Sequence, residues 1–233
     1  MSDRTAGADR VGALCGTAYV VLILVGNQIS TGGGQAAHPS GEEDLADFAR
    51  MHDSLSAIAG MTMEVVGFVA FVFFVAWLVQ RLRDQGGAAA WLAGAAGIAG
   101  TTTLAVKIAS FLPIAAGVTN RHTLDAATAQ VLTDMNSAAF VVTFLTFGVF
   151  LLACGLAILV SGWLGRIAGW SSTVLGVLGI VATLISTTDP VNANPVPFLL
   201  GLLWILVISI KLALRGPARS RRIVPESAAA VRA

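Results

Sequence analysis

The stretch from Ser56 to Arg83, SAIAGMTMEVVGFVAFVFFVAWLVQRLR, is an apolar run that carries one carboxylate, Glu64, inside it and stops at two arginines. About 20 apolar residues at ~1.5 Å each cross the hydrocarbon core of a bilayer. The run therefore reads as a membrane helix with a buried acid and a cytoplasmic basic anchor.

Five further apolar runs follow the same logic. With the first they give spans at about 11–29, 56–79, 88–112, 136–160, 167–185 and 198–214. The chain is 56% hydrophobic and 12% charged, where soluble domains carry roughly a quarter charged residues. This excludes an ordinary soluble domain and predicts an all-α integral membrane six-helix bundle in one domain, residues 1–216. Residues 217–233 read as a basic, disordered cytoplasmic tail. An arginine-rich start before an apolar run also describes a signal peptide, with Gly34 and Ala36 as small residues for cleavage. The length of the run and the five spans behind it favour an uncleaved helix.

Orientation follows from the charges. With both N and C termini cytoplasmic, the inner segments hold 11 of the 14 Lys and Arg: Arg4, Arg10, Arg81, Arg83, Arg166, Lys211, Arg215, Arg219, Arg221, Arg222 and Arg232. The outer segments keep only Arg50 and Arg121, and Lys107 lies inside a span. Trp77, Trp91, Trp163 and Trp170 fall at the same inner ends, as an interfacial belt would. The outer loops instead carry Glu42, Glu43, Asp44, Asp47, Asp53, Asp125, Asp134 and Asp189.

Between the spans, STGGGQAAHPS (residues 30–40) is a loop by its glycines and proline. Ser40 and Glu43 have capping-box spacing, and Leu45, Phe48, Ala49 and His52 or Leu55 recur at helical spacing. A short acidic amphipathic helix on the outer surface is expected there. Pro113 is expected to end or kink the third span, and residues 117–135 to form an outer connection with Thr123 capping a short helix. Gly12 and Gly16, and Gly94, Gly97 and Gly100, predict close helix approach. Spans two and three loosely echo spans four and five, as a duplicated hairpin would; no mechanism rests on that echo.

Glu64 and Lys107 are the intramembrane charges. Their helices are joined by a short turn, and both residues sit on the order of 10 Å below the outer boundary. Alone, each costs about 2.5–3.5 kcal/mol, so both are expected to face the bundle interior and find partners. Ala57, Gly60, Met61, Glu64, Gly67 and Phe68 share one helix face, and Gly100, Thr103, Lys107 and Ser110 another. Asn27, Gln28, Asn136 and Thr187 to Asp189 lie at comparable depth. Together they outline an outward-side polar pocket.

Two readings stay open. The pair fixes the register of two helices in a non-catalytic interaction or regulatory protein, or it lines a site for a small polar solute or ion. No P-loop, nucleophile elbow or paired catalytic carboxylates support an enzyme. No cofactor is expected. His38, His52 and His122 lack metal-ligand spacing and stand outside the spans, where neither a metal nor a haem site is expected. Cys15 and Cys154 read as small buried hydrophobes rather than a disulfide. The expected partners are the lipid bilayer, anionic lipid at the basic tail and a second copy of the chain as a homo-oligomer, with no nucleic acid.

The opening R-V-G-A-L-C-G-T-A-Y-V, through Arg10, Gly12, Leu14, Gly16, Tyr19 and Val20, resembles the start of a family of bacterial multi-pass cell-membrane proteins of unknown function. The long loop after span one and the helical loop before span four are similar to that family's layout. The resemblance implies a membrane protein and brings no assigned activity or site residue.

Overall fold

In a computed structural model, residues 2–31, 40–186 and 195–214 are described. Among them there are helices and no strands: α1 (Ser2–Thr31), α2 (Gly41–Asp53), α3 (Leu55–Arg83), α4 (Gly87–Asn120), α5 (Ala126–Ser161), α6 (Arg166–Ser186) and α7 (Val196–Leu214). All but α2 are long and apolar enough to cross a membrane. The chain is a six-span membrane bundle with one short amphipathic helix added. The basic tail, and with it the domain boundary at 216, lies outside the described residues.

The spans form a ring. α4 packs on α5, α5 on α6, α6 on α7, α7 on α1 and α1 on α3. Contact around it is uneven: α3 and α4, although a short turn joins them, touch far less than α4 and α5, α5 and α6, or α1 and α3, about as much as α1 and α7, and more than α6 and α7. α5 is the most buried span. Its Phe150 meets Phe71 of α3 edge-on at 5.8 Å, and its Phe144 and Phe147 meet Phe198 of α7 at 5.7 and 5.1 Å, in one buried aromatic core; Phe71 also lies tilted at 4.4 Å against Tyr19 of α1.

Small residues set the closest approaches, as lipid offers no hydrophobic drive between spans and contact depends on packing. Gly12 faces Trp77, and Gly16 faces Phe74 and Ser209. On α5 and α6, Gly148 faces the backbone of Gly176. The close packing expected at Gly94 and Gly97 does not occur. A Cβ on Gly94 would meet only Arg83 Nη2 at 3.9 Å, and both glycines line a cavity of about 520 Å³ between α3 and α4. The two hairpins that echo each other in sequence thus differ, α5–α6 being closed and α3–α4 parted.

Two further expectations are corrected. Of the two outcomes expected at Pro113 the helix end does not occur: α4 continues to Asn120, since a proline removes one backbone bond and a packed membrane helix tolerates it. The next cap is Asp125 rather than Thr123. Its Oδ1 accepts from the Thr128 N–H at 2.8 Å, and hydrogen bonds from Thr128 hold its carboxyl below the usual range. From there α5 runs unbroken into span four.

At ~1.5 Å per residue, α4 with 34 residues and α5 with 36 are about 50 Å long, against a hydrocarbon core of about 30 Å. Their excess projects as a helical hairpin at the acidic end of the bundle. α2 docks against it. The Ser40 hydroxyl accepts from the Glu43 N–H at 3.3 Å and the Glu43 carboxylate accepts from the Ser40 N–H at 2.7 Å, completing the capping box. The buried face of α2 is Gly41, Asp44 and Phe48, with Leu45 and Ala49 half-buried and His52 exposed. Phe48 seats on Gly117, and Gly41 lies against the backbone of Ala126. At the opposite end Asp9 of α1 pairs with Arg81 and accepts from Trp77 Nε1 at 3.3 Å, tying α1 to α3.

Candidate functional site

Beneath α2 four spans converge on a cavity of about 100 Å³. α1 contributes Asn27, Ser30 and Thr31, α3 Met61 and Glu64, α4 Lys107, Phe111 and Ile114, and α5 Asn136. α2 adds Asp47, Arg50 and Met51, so it forms the roof.

Glu64 is placed by backbone contact. Gly26 of α1 and Gly60 of α3 meet with no side chain between them, and a Cβ on Gly26 would lie 2.9 Å from Glu64 Cγ. That approach brings the carboxylate, 3% exposed, against Ser30. The Ser30 hydroxyl lies 3.2 Å from Glu64 Oε1 and 3.0 Å from the Asn27 carbonyl oxygen. It has one proton to donate, so the two acceptors share it.

Lys107 is held differently. Its Nζ lies 4.6 Å from the centroid of the Phe140 ring and 5.7 Å from that of Phe111. These aromatic faces attract an ammonium without satisfying its N–H donors. Glu64 and Lys107 interact electrostatically across the cavity. They form no direct ion pair within 4.0 Å. The sequence predicts that the two helices bring these charges to one level, which they do; it also suggests that the groups meet, which they do not.

The roof is charged but internally balanced. Arg50 Nε donates to Asp47 Oδ1 at 3.3 Å, and Arg50 Nη2 reaches the Thr31 carbonyl oxygen at 3.4 Å. The second contact puts a cation on the C-terminal end of α1, where the helix dipole favours it.

The other sequence-predicted residues divide. Asn27 and Asn136 line the cavity with Glu64 and Lys107. Thr103 is buried one turn below Lys107, donates to the Ala99 carbonyl at 2.8 Å, and borders a void of about 10 Å³ shared with Lys107, Tyr19 and Thr143. Ser110 is buried and donates to the Lys107 carbonyl at 2.7 Å, so it steadies the helix and not the cavity. Gln28 is exposed on α1, away from the lining. Asp189 lies outside the described residues.

Sequence reasoning missed Ser30, Thr31, Asp47, Arg50, Met51, Met61 as a lining residue, Phe111 and Ile114. Several of these carried a usable signal: Met61 stands on the face already assigned to Glu64, Ser30 lies one turn beyond Asn27, and Phe111 lies four residues beyond Lys107, each on the same helix face as a residue singled out. Arg50 and its neighbours carried none, because their place depends on how α2 docks.

Among the described residues no group of three His, Cys, Asp or Glu side chains converges as metal ligands. Both cysteines are free. With Asp47 and Arg50 paired on α2, the described lining leaves one carboxylate, one ammonium and two amide groups around a small space.

Residues 14–216 match the family model described as a domain of unknown function, DUF4386. No curated protein and no solved structure matches the chain.

Proposed function

Since the chain belongs to the DUF4386 family, a domain of unknown function, its activity has to be read from its own residues, and we propose that it takes a small polar solute or ion into the cavity between Glu64 and Lys107. In this reading it is a bacterial cell-membrane protein with the acidic end outside and the basic ends of the spans in the cytoplasm, the arrangement that the positive-inside rule favours. α2 then covers the entrance from the outside, and the solute reaches Glu64 and Lys107 beneath it.

One observation supports this over a purely structural pair: both charges line one cavity and neither contacts the other directly. Each intramembrane charge costs about 2.5–3.5 kcal/mol. A pair retained only to fix helix register would recover most of that cost by direct contact. Here the groups face shared space, where water or a solute completes their coordination.

The test is thermal stability of the purified protein in detergent across a panel of small organic acids, amines, amino acids, sugars and inorganic ions. A solute that binds the folded state raises Tm by mass action. At least one member of the panel raises Tm of the wild type and leaves the Glu64→Gln/Lys107→Met double variant unmoved. Equal shifts in both proteins, or none in either, contradict the proposal.

A further inference from the structure

We infer that the solute is a small zwitterion, of about the size of glycine, held with its ammonium group toward Glu64 and its carboxylate toward Lys107. This rests on the solute-handling reading above and narrows it to one chemical class.

The charges around the cavity point to this class. Among the described residues four ionisable side chains line it: Asp47, Arg50, Glu64 and Lys107. Asp47 and Arg50 neutralise each other within α2 at 3.3 Å. What remains is one carboxylate on α3 and one ammonium on α4, on different walls and out of contact. A simple cation would satisfy Glu64 and leave Lys107 facing it, and a simple anion would do the reverse. A molecule with both signs satisfies both at once and adds no net charge to a low-dielectric site, where unpaired charge is most costly.

The remaining bonding capacity agrees. Glu64 receives one shared hydroxyl proton, from Ser30, so its carboxylate has room for further donors. Lys107 has aromatic faces at 4.6 and 5.7 Å and three N–H donors that no ring satisfies. Asn27 and Asn136 add uncharged amides at the cavity wall. Size is in keeping with this. The space beneath α2, about 100 Å³ and only partly enclosed, suits a small molecule.

The experiment compares glycine, β-alanine and 4-aminobutyrate with acetate alone, methylammonium alone and the two together. The readout is Tm of the full-length protein in detergent, for the wild type and for Glu64→Gln and Lys107→Met. At least one zwitterion, glycine or β-alanine first, shifts wild-type Tm upward, and each single variant loses the shift. Acetate and methylammonium fail separately and as a mixture, because joining the charges in one molecule removes the cost of ordering two. If acetate or methylammonium alone stabilises the wild type as well as any zwitterion does, the inference is overturned while the solute reading stands. If no probe here and none in the broader panel shifts Tm, both are overturned.

Discussion

Gly26 and Gly60 bring α1 and α3 together so closely that a Cβ on Gly60 would lie 2.6 Å from the Gly26 carbonyl oxygen, and one on Gly26 would lie 2.7 Å from that of Gly60. The obstacle is backbone, so a rotamer change cannot relieve it. One turn further along α3 the same approach seats Glu64 against Ser30. Gly60→Val is expected to destabilise by about 1–3 kcal/mol or more, the usual range for overpacking, and to abolish any solute-dependent shift. Gly7→Ala is the control. Nothing lies within 4 Å of a Cβ there, and its Tm should stay level or rise slightly.

The docking of α2 depends on Phe48, which is 1% exposed and seated on Gly117. Phe48→Ala removes a buried aromatic ring, a change that typically costs about 3–5 kcal/mol in a packed core. The spans hold one another without α2, so the expected effect is local. Hydrogen exchange within residues 41–53 should accelerate by orders of magnitude while α5 exchanges as before. Equal acceleration throughout the bundle would show that α2 is an integral part of the core instead.

Asp44 gives that docking a pH dependence. It is 4% exposed, with Oδ2 lacking a hydrogen-bond partner. Burial raises its carboxyl above the ordinary range; a hydrogen bond from Thr133 opposes this, and the charges of Asp134, Asp47 and Glu43 add to it. The docked helix therefore binds a proton more tightly than the released one. Docking is favoured at low pH and weakens as pH rises from about 4, the ordinary carboxylate value, through the raised one. Asp44→Asn should flatten that slope and slow exchange of α2 at neutral pH. An unchanged slope in the variant would exclude Asp44 as its origin.

The parted α3–α4 seam predicts an unusual tolerance. Gly94 and Gly97 face open space or ordinary contacts, so Gly94→Ala gains helix propensity with no steric cost. It should stabilise by about 0.5–1 kcal/mol. Gly100→Leu, where a Cβ would already lie 3.0 Å from Val75 and 3.1 Å from Phe150, should destabilise. Thermal denaturation of the two variants side by side separates an open seam from a closed one.

Particular residues show what the sequence can disclose. Six spans are legible because lipid requires long, internally bonded helices, and Glu64 stands out because charge is scarce inside them. The depth of Glu64 and Lys107 is legible by counting residues along antiparallel neighbours. Their separation is not, since it depends on the rotation of α3 and α4 and on how far the two helices part. Pro113 and the polar residues 117–135 read as the end of a span, whereas packing between α4, α5 and α2 carries helix straight through. Arg50 and Asp47 reach the cavity only because Phe48 finds Gly117, a contact between residues far apart in the chain.

Solute binding between Glu64 and Lys107 requires an accessible cavity at Met61, which lines it beside Glu64 without carrying charge. The direct measurement is modification of Met61→Cys in sealed membranes by a small, charged, membrane-impermeant thiol reagent added to one face at a time. The wild-type chain, with Cys15 and Cys154, supplies the baseline, and Val66→Cys, on the exposed outer side of α3, the lipid-facing control. The account predicts reaction at Met61→Cys from the face that bears α2, and none at Val66→Cys. Failure to react from that face, or reaction only from the opposite one, would contradict it.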